Sequence, residues 1–218
     1  ISGVVMSGSA FVGALFSTFL VFGLAHRQGS WTSTRLLLTG VIVAAGWGAL
    51  ISFILSVAPE ANLRGMLFWL MGDLSHTESS LPAFVILVVC FFICMPFARD
   101  LNILARGELQ ASALGVSVFS LRLNIYFIAS ILTASAVTLA GSIGFIGLIV
   151  PHIVRLITGN DNRVLLPASI LTGGCFLIIA DTLARTIISP QQLPVGVITA
   201  MLGVPFFLFL LQKNKQYS

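Results

Sequence analysis

The stretch Leu36-Leu-Leu-Thr-Gly40-Val-Ile-Val-Ala-Ala-Gly-Trp-Gly48-Ala-Leu-Ile-Ser-Phe-Ile-Leu-Ser-Val57 runs for 22 residues without one ionisable side chain. A helix that crosses the hydrocarbon core of a bilayer needs about 20 largely apolar residues. The stretch is too long for a barrel strand, and only helices and closed barrels satisfy every backbone polar group in lipid. Working outward, six more stretches read the same way: Val4–Ala25, Leu81–Phe97, Leu121–Ala140, Ile143–Thr158, Val164–Ile188 and Val195–Leu211. The fold expected is all-α, a polytopic transmembrane helix bundle with about seven spans.

Composition excludes the main rivals. Of 218 residues, 57% are hydrophobic and 8% are charged, whereas a soluble domain carries about 25% charged residues. Mean hydropathy is +1.06. A soluble enzyme, a nucleic-acid binder and a disordered tail do not fit these values. Cys90, Cys94 and Cys175 all lie in apolar runs, so they read as packing residues rather than disulfides or metal ligands. HExxH, GxSxG, GxGxxG and GxxxxGK[ST] do not occur. Nothing therefore points to a catalytic centre, a metal, a cofactor or ATP binding by a Walker loop. His26, His76 and His152 are scattered.

The breaks between spans are short, which makes consecutive helices antiparallel neighbours. One set of breaks holds Arg27, Arg35, Arg99, Arg106, Arg122, Arg155 and Arg163, with Lys213 and Lys215 at the C-terminus; the other holds only Arg64 and Arg185. Nine against two places the first set, and the C-terminus, in the cytoplasm. Ile1 then starts outside, and the chain reads as N-terminally incomplete.

Two connections are more than turns. In the outer one, Ala61–Gly72 carries Leu63, Met66, Leu67 and Leu70 at helical spacing, which predicts a short helix at the outer surface. The inner one, Arg99–Ser120, alternates Leu101, Leu104, Leu109, Ala113 and Leu114 with Asp100, Arg106, Glu108 and Gln110. It predicts one or two short amphipathic helices, broken near Gly107 and ended near Gly115.

Within the spans, small residues recur at Gly40, Ala44 and Gly48 and at Gly141, Gly144 and Gly147. Such spacing lets helix backbones approach closely in lipid. Pro151 removes a backbone hydrogen bond inside its span and predicts a kink. Asp181 and Arg185 stand one turn apart and can pair on one helix face. Intramembrane charges also tend to mark functional positions.

Four ordered segments carry a family resemblance: Gly141-Ser-Ile-Gly-Phe-Ile-Gly-Leu-Ile-Val-Pro-His-Ile-Val-Arg155, Asn162-Arg-Val-Leu-Leu-Pro167, Ala180-Asp-Thr-Leu-Ala-Arg185 and Leu193-Pro-Val-Gly-Val-Ile-Thr-Ala-Met-Leu-Gly-Val-Pro205. Arg35-Leu-Leu-Leu-Thr-Gly40 and Trp69-Leu-Met-Gly72 agree upstream. The chain resembles the FecCD-type permeases, ABC importer subunits for iron-siderophore, haem or vitamin B12 uptake. It is similar to the C-terminal two thirds of such a subunit, so that about seven of an expected ten or so spans are present.

The resemblance implies a homodimeric inner-membrane permease working by alternating access. Its partners would be two cytoplasmic ABC ATPase subunits and a periplasmic or lipoprotein substrate-binding protein. Residues 1–218 then form one transmembrane permease domain, with cytoplasmic coupling helices over 99–120. Leu104, Gly107, Glu108, Ala111, Leu114 and Gly115 match the ATPase-coupling segment. Arg185 matches an arginine that docks the binding protein, with Asp181 orienting it. Gly141, Gly144, Gly147 and Pro151 fall to helix packing and gating. The alternative is a secondary transporter or channel without an ATPase, which would carry ionisable relays near the midplane. An intramembrane enzyme would need a nucleophile–base or metal constellation that the histidines do not form.

Overall fold

The computed structural model describes residues 3–26, 33–75, 80–188 and 190–214. Arg27, His76 and Lys215 lie outside the described residues. Ten α-helices follow in order: α1 (Gly3–His26), α2 (Ser33–Val57), α3 (Glu60–Leu70), α4 (Leu81–Cys94), α5 (Ala98–Leu104), α6 (Glu108–Ala113), α7 (Val118–Ala140), α8 (Ile146–Thr158), α9 (Asn162–Thr186) and α10 (Val195–Asn214). Among the described residues there is no strand. Each of the seven apolar stretches contains a helix, the fifth only from Ile146 onward. A membrane crossing by length and composition is met by α1, α2, α7, α9 and the run Leu81–Leu104.

That run is longer than the sequence reading had it. Pro96 cannot donate to the helical ladder, and a single 3-10 turn over Met95–Phe97 carries the chain from α4 into α5. The first part of the expected inner segment is thereby an extension of the third span.

The fifth stretch is also different. Its helix, α8, begins only at Ile146 and has 13 residues, a rise of about 20 Å against a core of about 30 Å. Gly141–Phe145 precedes it as non-helical chain. Phe145 takes a left-handed backbone, φ 68°, an uncommon conformation for a residue with a side chain. Irregular backbone in an apolar stretch is tolerated where protein covers it; here Gly141 lies against α3 and its C-terminal turn and Phe145 against α10, while Ser142 and Gly144 are exposed.

Helix pairing puts α1 against α7 and α2, α4 against α7, and α8 and α10 against α9. Between α1 and α7 the Tyr126 hydroxyl donates to the Thr18 carbonyl at 2.8 Å, and Phe19, Phe22 and Phe127 cluster beside it. Two small apolar cores lie around α9. Ala180, Ala184, Val195 and Ile198 close one, and Val150, Val154 and Leu165 close the other. Elsewhere the long helices turn large apolar side chains outward: Leu37, Ile42 and Phe53 of α2 are 69%, 71% and 64% exposed. That is the surface expected of a chain whose solvent is lipid or another apolar partner.

Candidate functional site at the two ends of the bundle

The short-helix end is built from α5 and α6. Gly107 precedes α6 with φ 130° and Gly115 follows it with φ 82°. Both values are costly for a residue with a Cβ, which is why glycine bounds the element. Ala111 is fully buried, so α6 rests on its small side chain against the bundle. From the same helix, Glu108 forms an ion pair with Arg122 of α7 at 2.9 Å. Leu109 and Leu114 point the other way, 89% and 68% exposed. Leu104, at the end of α5, is half-buried.

The predicted coupling residues therefore divide. Gly107 and Gly115 shape the element. Ala111 and Glu108 attach it to the bundle, and Leu114 is presented outward. Leu109, which sequence reasoning counted only within the amphipathic alternation, is the more exposed apolar side chain. Its neighbours in sequence, Glu108 and Gln110, gave no signal of which face α6 would bury.

A polar cluster lies beside this element. Asn102 of α5 donates through Nδ2 to Asp161 Oδ1 at 2.7 Å. Its own Oδ1 accepts from the Asn162 backbone N–H and Nδ2, both at 2.8 Å. Asp161 caps α9 by accepting from the Arg163 N–H at 3.0 Å. These contacts, the Arg163 backbone bond first and Asn102 second, hold the Asp161 carboxyl below its ordinary pKa. The sequence reading singled out neither residue. An Asp just before a helical run is a readable cap signal; Asn102 carries no comparable one.

At the opposite end three connections meet. The Asp73 N–H donates to Ala140 O, the Val195 N–H to Gly72 O, and the Leu193 N–H to Ala184 O. The approach is so close that a Cβ on Gly141 would overlap the Trp69 carbonyl, and one on Gly196 the Met71 carbonyl. Gly203 leaves room for the Phe145 ring in the same way. By contrast, a Cβ at Gly144, Gly147, Gly40 or Gly48 would meet nothing within 4 Å. These four glycines leave open faces in this chain, and the tight approaches fall on Gly72, Gly141, Gly196 and Gly203. Pro151 sits inside α8 and leaves the Gly147 carbonyl without its usual i+4 donor.

Asp181 and Arg185 are brought together at this end, Nε to Oδ2 at 2.8 Å, with both side chains partly exposed. Asp73 lies near enough to add an attractive field at Arg185. Asp181 is thus the direct partner of Arg185, and Asp73, which sequence reasoning did not name, adds only a weaker field. Among the described residues no group of three His, Cys, Asp or Glu side chains is placed to hold a metal ion.

An apolar groove of about 480 Å³ separates the last turns of α2 from α3, lined by Ile51, Ile54, Leu55, Met66, Trp69 and Leu70.

Known proteins resemble this arrangement over nearly its full length. The description of the FecCD transport family matches residues 1–213. The cobalamin import system permease protein BtuC of Halobacterium salinarum is 45% identical over 212 residues, 95% of this chain and 56% of that protein. The hemin transport system permease protein HmuU of Yersinia pestis is 39% identical over 210 residues, 95% of this chain and 62% of that one. The Fe(3+) dicitrate transport system permease protein FecD of Escherichia coli is 40% identical over 208 residues, covering 94% and 64%. This chain thus spans less than two thirds of the length of these relatives. A solved structure described as an inward-facing metal-chelate type ABC transporter superposes with a TM-score of 0.81 at 32% identity, over 96% of this chain and 74% of that one.

Proposed function

The chain belongs to the FecCD transport family, and from that premise we propose that it serves as the membrane-spanning permease part of an ABC importer for iron-siderophore, haem or cobalamin-type chelates. The family consists of transport permeases, and the work of ATP hydrolysis falls to separate partner subunits. The end bearing α5 and α6 faces the cytoplasm of the inner membrane, as does the C-terminus. The end bearing Arg185 faces a substrate-binding protein outside. Two copies of the permease enclose the path, and the apolar exposed face of α2 suits either lipid or the second copy. Residues 1–218 act as one permease domain, with coupling helices over 99–120.

The observation that carries this reading is the pairing of a firmly seated helix with an unsatisfied apolar edge. Glu108–Arg122 and the buried Ala111 hold α6 to the bundle, while Leu109 and Leu114 project away from it. An exposed Leu pair on a short rigid helix suits insertion into a partner groove. Movement of the ATPase subunits then reaches the bundle through these two attachments of α6, Glu108 to Arg122 and the buried Ala111. Alternating access follows if the groove holds α6 differently in the ATP-bound and ATP-free states; without that difference ATP could shift nothing.

Reconstitution of the full-length permease with its ATPase and binding protein in proteoliposomes tests the reading. Uptake of a chelate that requires both ATP and the binding protein is the expected result. Uptake driven by a proton or sodium gradient with no ATPase present would overturn it.

A further inference from the structure

The Asn102 cluster has no part in the docking contacts proposed above, yet the Asn102 side chain is hydrogen-bonded at both ends. The Asn102 amide uses both of its ends at once: Nδ2 toward Asp161, Oδ1 toward the backbone and side chain of Asn162. These partners are 59 and 60 residues away in sequence. The contacts join α5, one turn before the coupling helix α6, to the first turn of α9.

What α9 does with that attachment follows from its shape. It has 25 residues, a rod of about 37 Å. At its far end it carries Asp181 and Arg185, and there the Ala184 carbonyl accepts from Leu193 on the approach to α10. Along its length it packs against α8 and α10. α9 is continuous helix from Asn162 to Thr186, with Pro167 in its second turn, so one element links the Asp161 end to the Arg185 end and can carry a displacement between them. Discrete hydrogen-bonded joints between rigid elements are the physical means by which two distant sites can bias one another.

We infer that Asn102 and Asp161 form the joint through which movement of the short helices reaches α9, which makes both of them positioning residues for transport. The inference rests on the permease reading and deepens it by naming the route between its two ends.

The experiment uses the full-length permease assembled with its ATPase subunits and binding protein. The readout is chelate transported per ATP hydrolysed, with thermal stability of the complex measured alongside. N102D removes the amide donor and sets a second carboxylate against Asp161. The ratio should fall about fivefold or more, within the range of coupling between distant sites. N102D/D161N restores one amide and one carboxylate with their sides exchanged, and the carboxylate can still accept from Asn162. This pair should return the ratio to within about twofold of the starting protein. If N102D does not assemble, N102A removes the same contacts without adding charge.

An unchanged ratio in N102D or N102A would overturn the joint. So would a fall that the exchanged pair does not restore, or one that only tracks lost thermal stability, since a plain structural tie would give that. A starting protein whose uptake needs no ATPase would instead overturn the permease reading, and the joint with it.

Discussion

Arg122 holds Glu108 at 2.9 Å across the gap between α7 and α6, so the acidic residue expected to meet a partner is already engaged with its own bundle. Both side chains are partly exposed, at 30% and 58%, and such pairs contribute about 0–1 kcal/mol. The pair therefore orients α6 more than it stabilises the fold. In the proposed permease, partner contact would then fall to Leu109, the more exposed apolar side chain.

Replacement of Leu109 by Ala should leave the permease as stable as before, because the side chain is 89% exposed and buries little. In a partner groove the same side chain gives up apolar area worth about 2 kcal/mol, so ATPase affinity should fall roughly 30-fold. Titration of detergent-purified permease with the ATPase measures this. Equal affinity for both proteins would remove Leu109 from the interface.

Gly141→Ala should be among the more damaging changes in the chain. Its Cβ would overlap the Trp69 carbonyl, and the backbone at φ 67° disfavours any side chain. A cost of about 2 kcal/mol or more is expected, read as a lowered Tm in detergent. Gly144→Ala and Gly147→Ala, which face open space in this chain, serve as internal comparisons. An undiminished Tm for Gly141→Ala would show that the outer junction is looser than drawn here.

At the end proposed to face outward, Arg185→Glu sets a second carboxylate against Asp181. Docking of an acidic binding-protein surface should weaken about tenfold, or ~1.4 kcal/mol, with the loss greatest at low salt, where the new repulsion is least screened. Asp181→Asn should act the opposite way by freeing the guanidinium. Binding curves at two ionic strengths, with neither variant differing from the parent, would leave the ion pair a purely structural one.

The Asp161 cap has a definite pH behaviour. Its carboxyl is held below the ordinary aspartate pKa by the Arg163 N–H and Asn102. Its contribution to stability is therefore present in full above that ordinary value and is lost as pH falls through the lowered one. The α5–α9 tie should survive at pH values where a free aspartate is already half protonated. Acid titration of thermal stability, comparing the parent with Asp161→Asn, reads the difference. A parent curve that matches the variant at every pH would dismiss the cap as a source of acid sensitivity.

Much of this architecture was legible in the order of residues. Runs such as Leu36–Val57 announce spanning helices because lipid forbids unsatisfied backbone and charge over about 30 Å. The break at Gly107 and the stop at Gly115 were legible because only glycine tolerates the backbone found there, φ 130° and 82°. The half-length of α8 was not. Gly141–Phe145 is as apolar as its surroundings, and hydropathy does not distinguish buried irregular chain from helix.

Glycine spacing likewise does not show which element a helix face meets. A period of three or four residues describes which side chains share a helix face, but what faces that side depends on a second element. Gly196 meets Met71, and Gly203 meets Phe145, across more than 50 residues of chain. Asn102 shows the same limit: its partners lie 59 and 60 residues on, and nothing local requires an asparagine on α5.

The sequence by itself determined the solvent this chain needs, the order of its apolar helices and the family it resembles. Each depends on hydropathy and charge counted along one strand of chain. Only the tertiary structure decided that α6 buries Ala111 and presents Leu109, that α8 is a half-length helix behind a strained Phe145, and that Asn102 reaches Asp161. Those are outcomes of packing between distant segments, set by pairwise contacts and close backbone approach that no local pattern encodes.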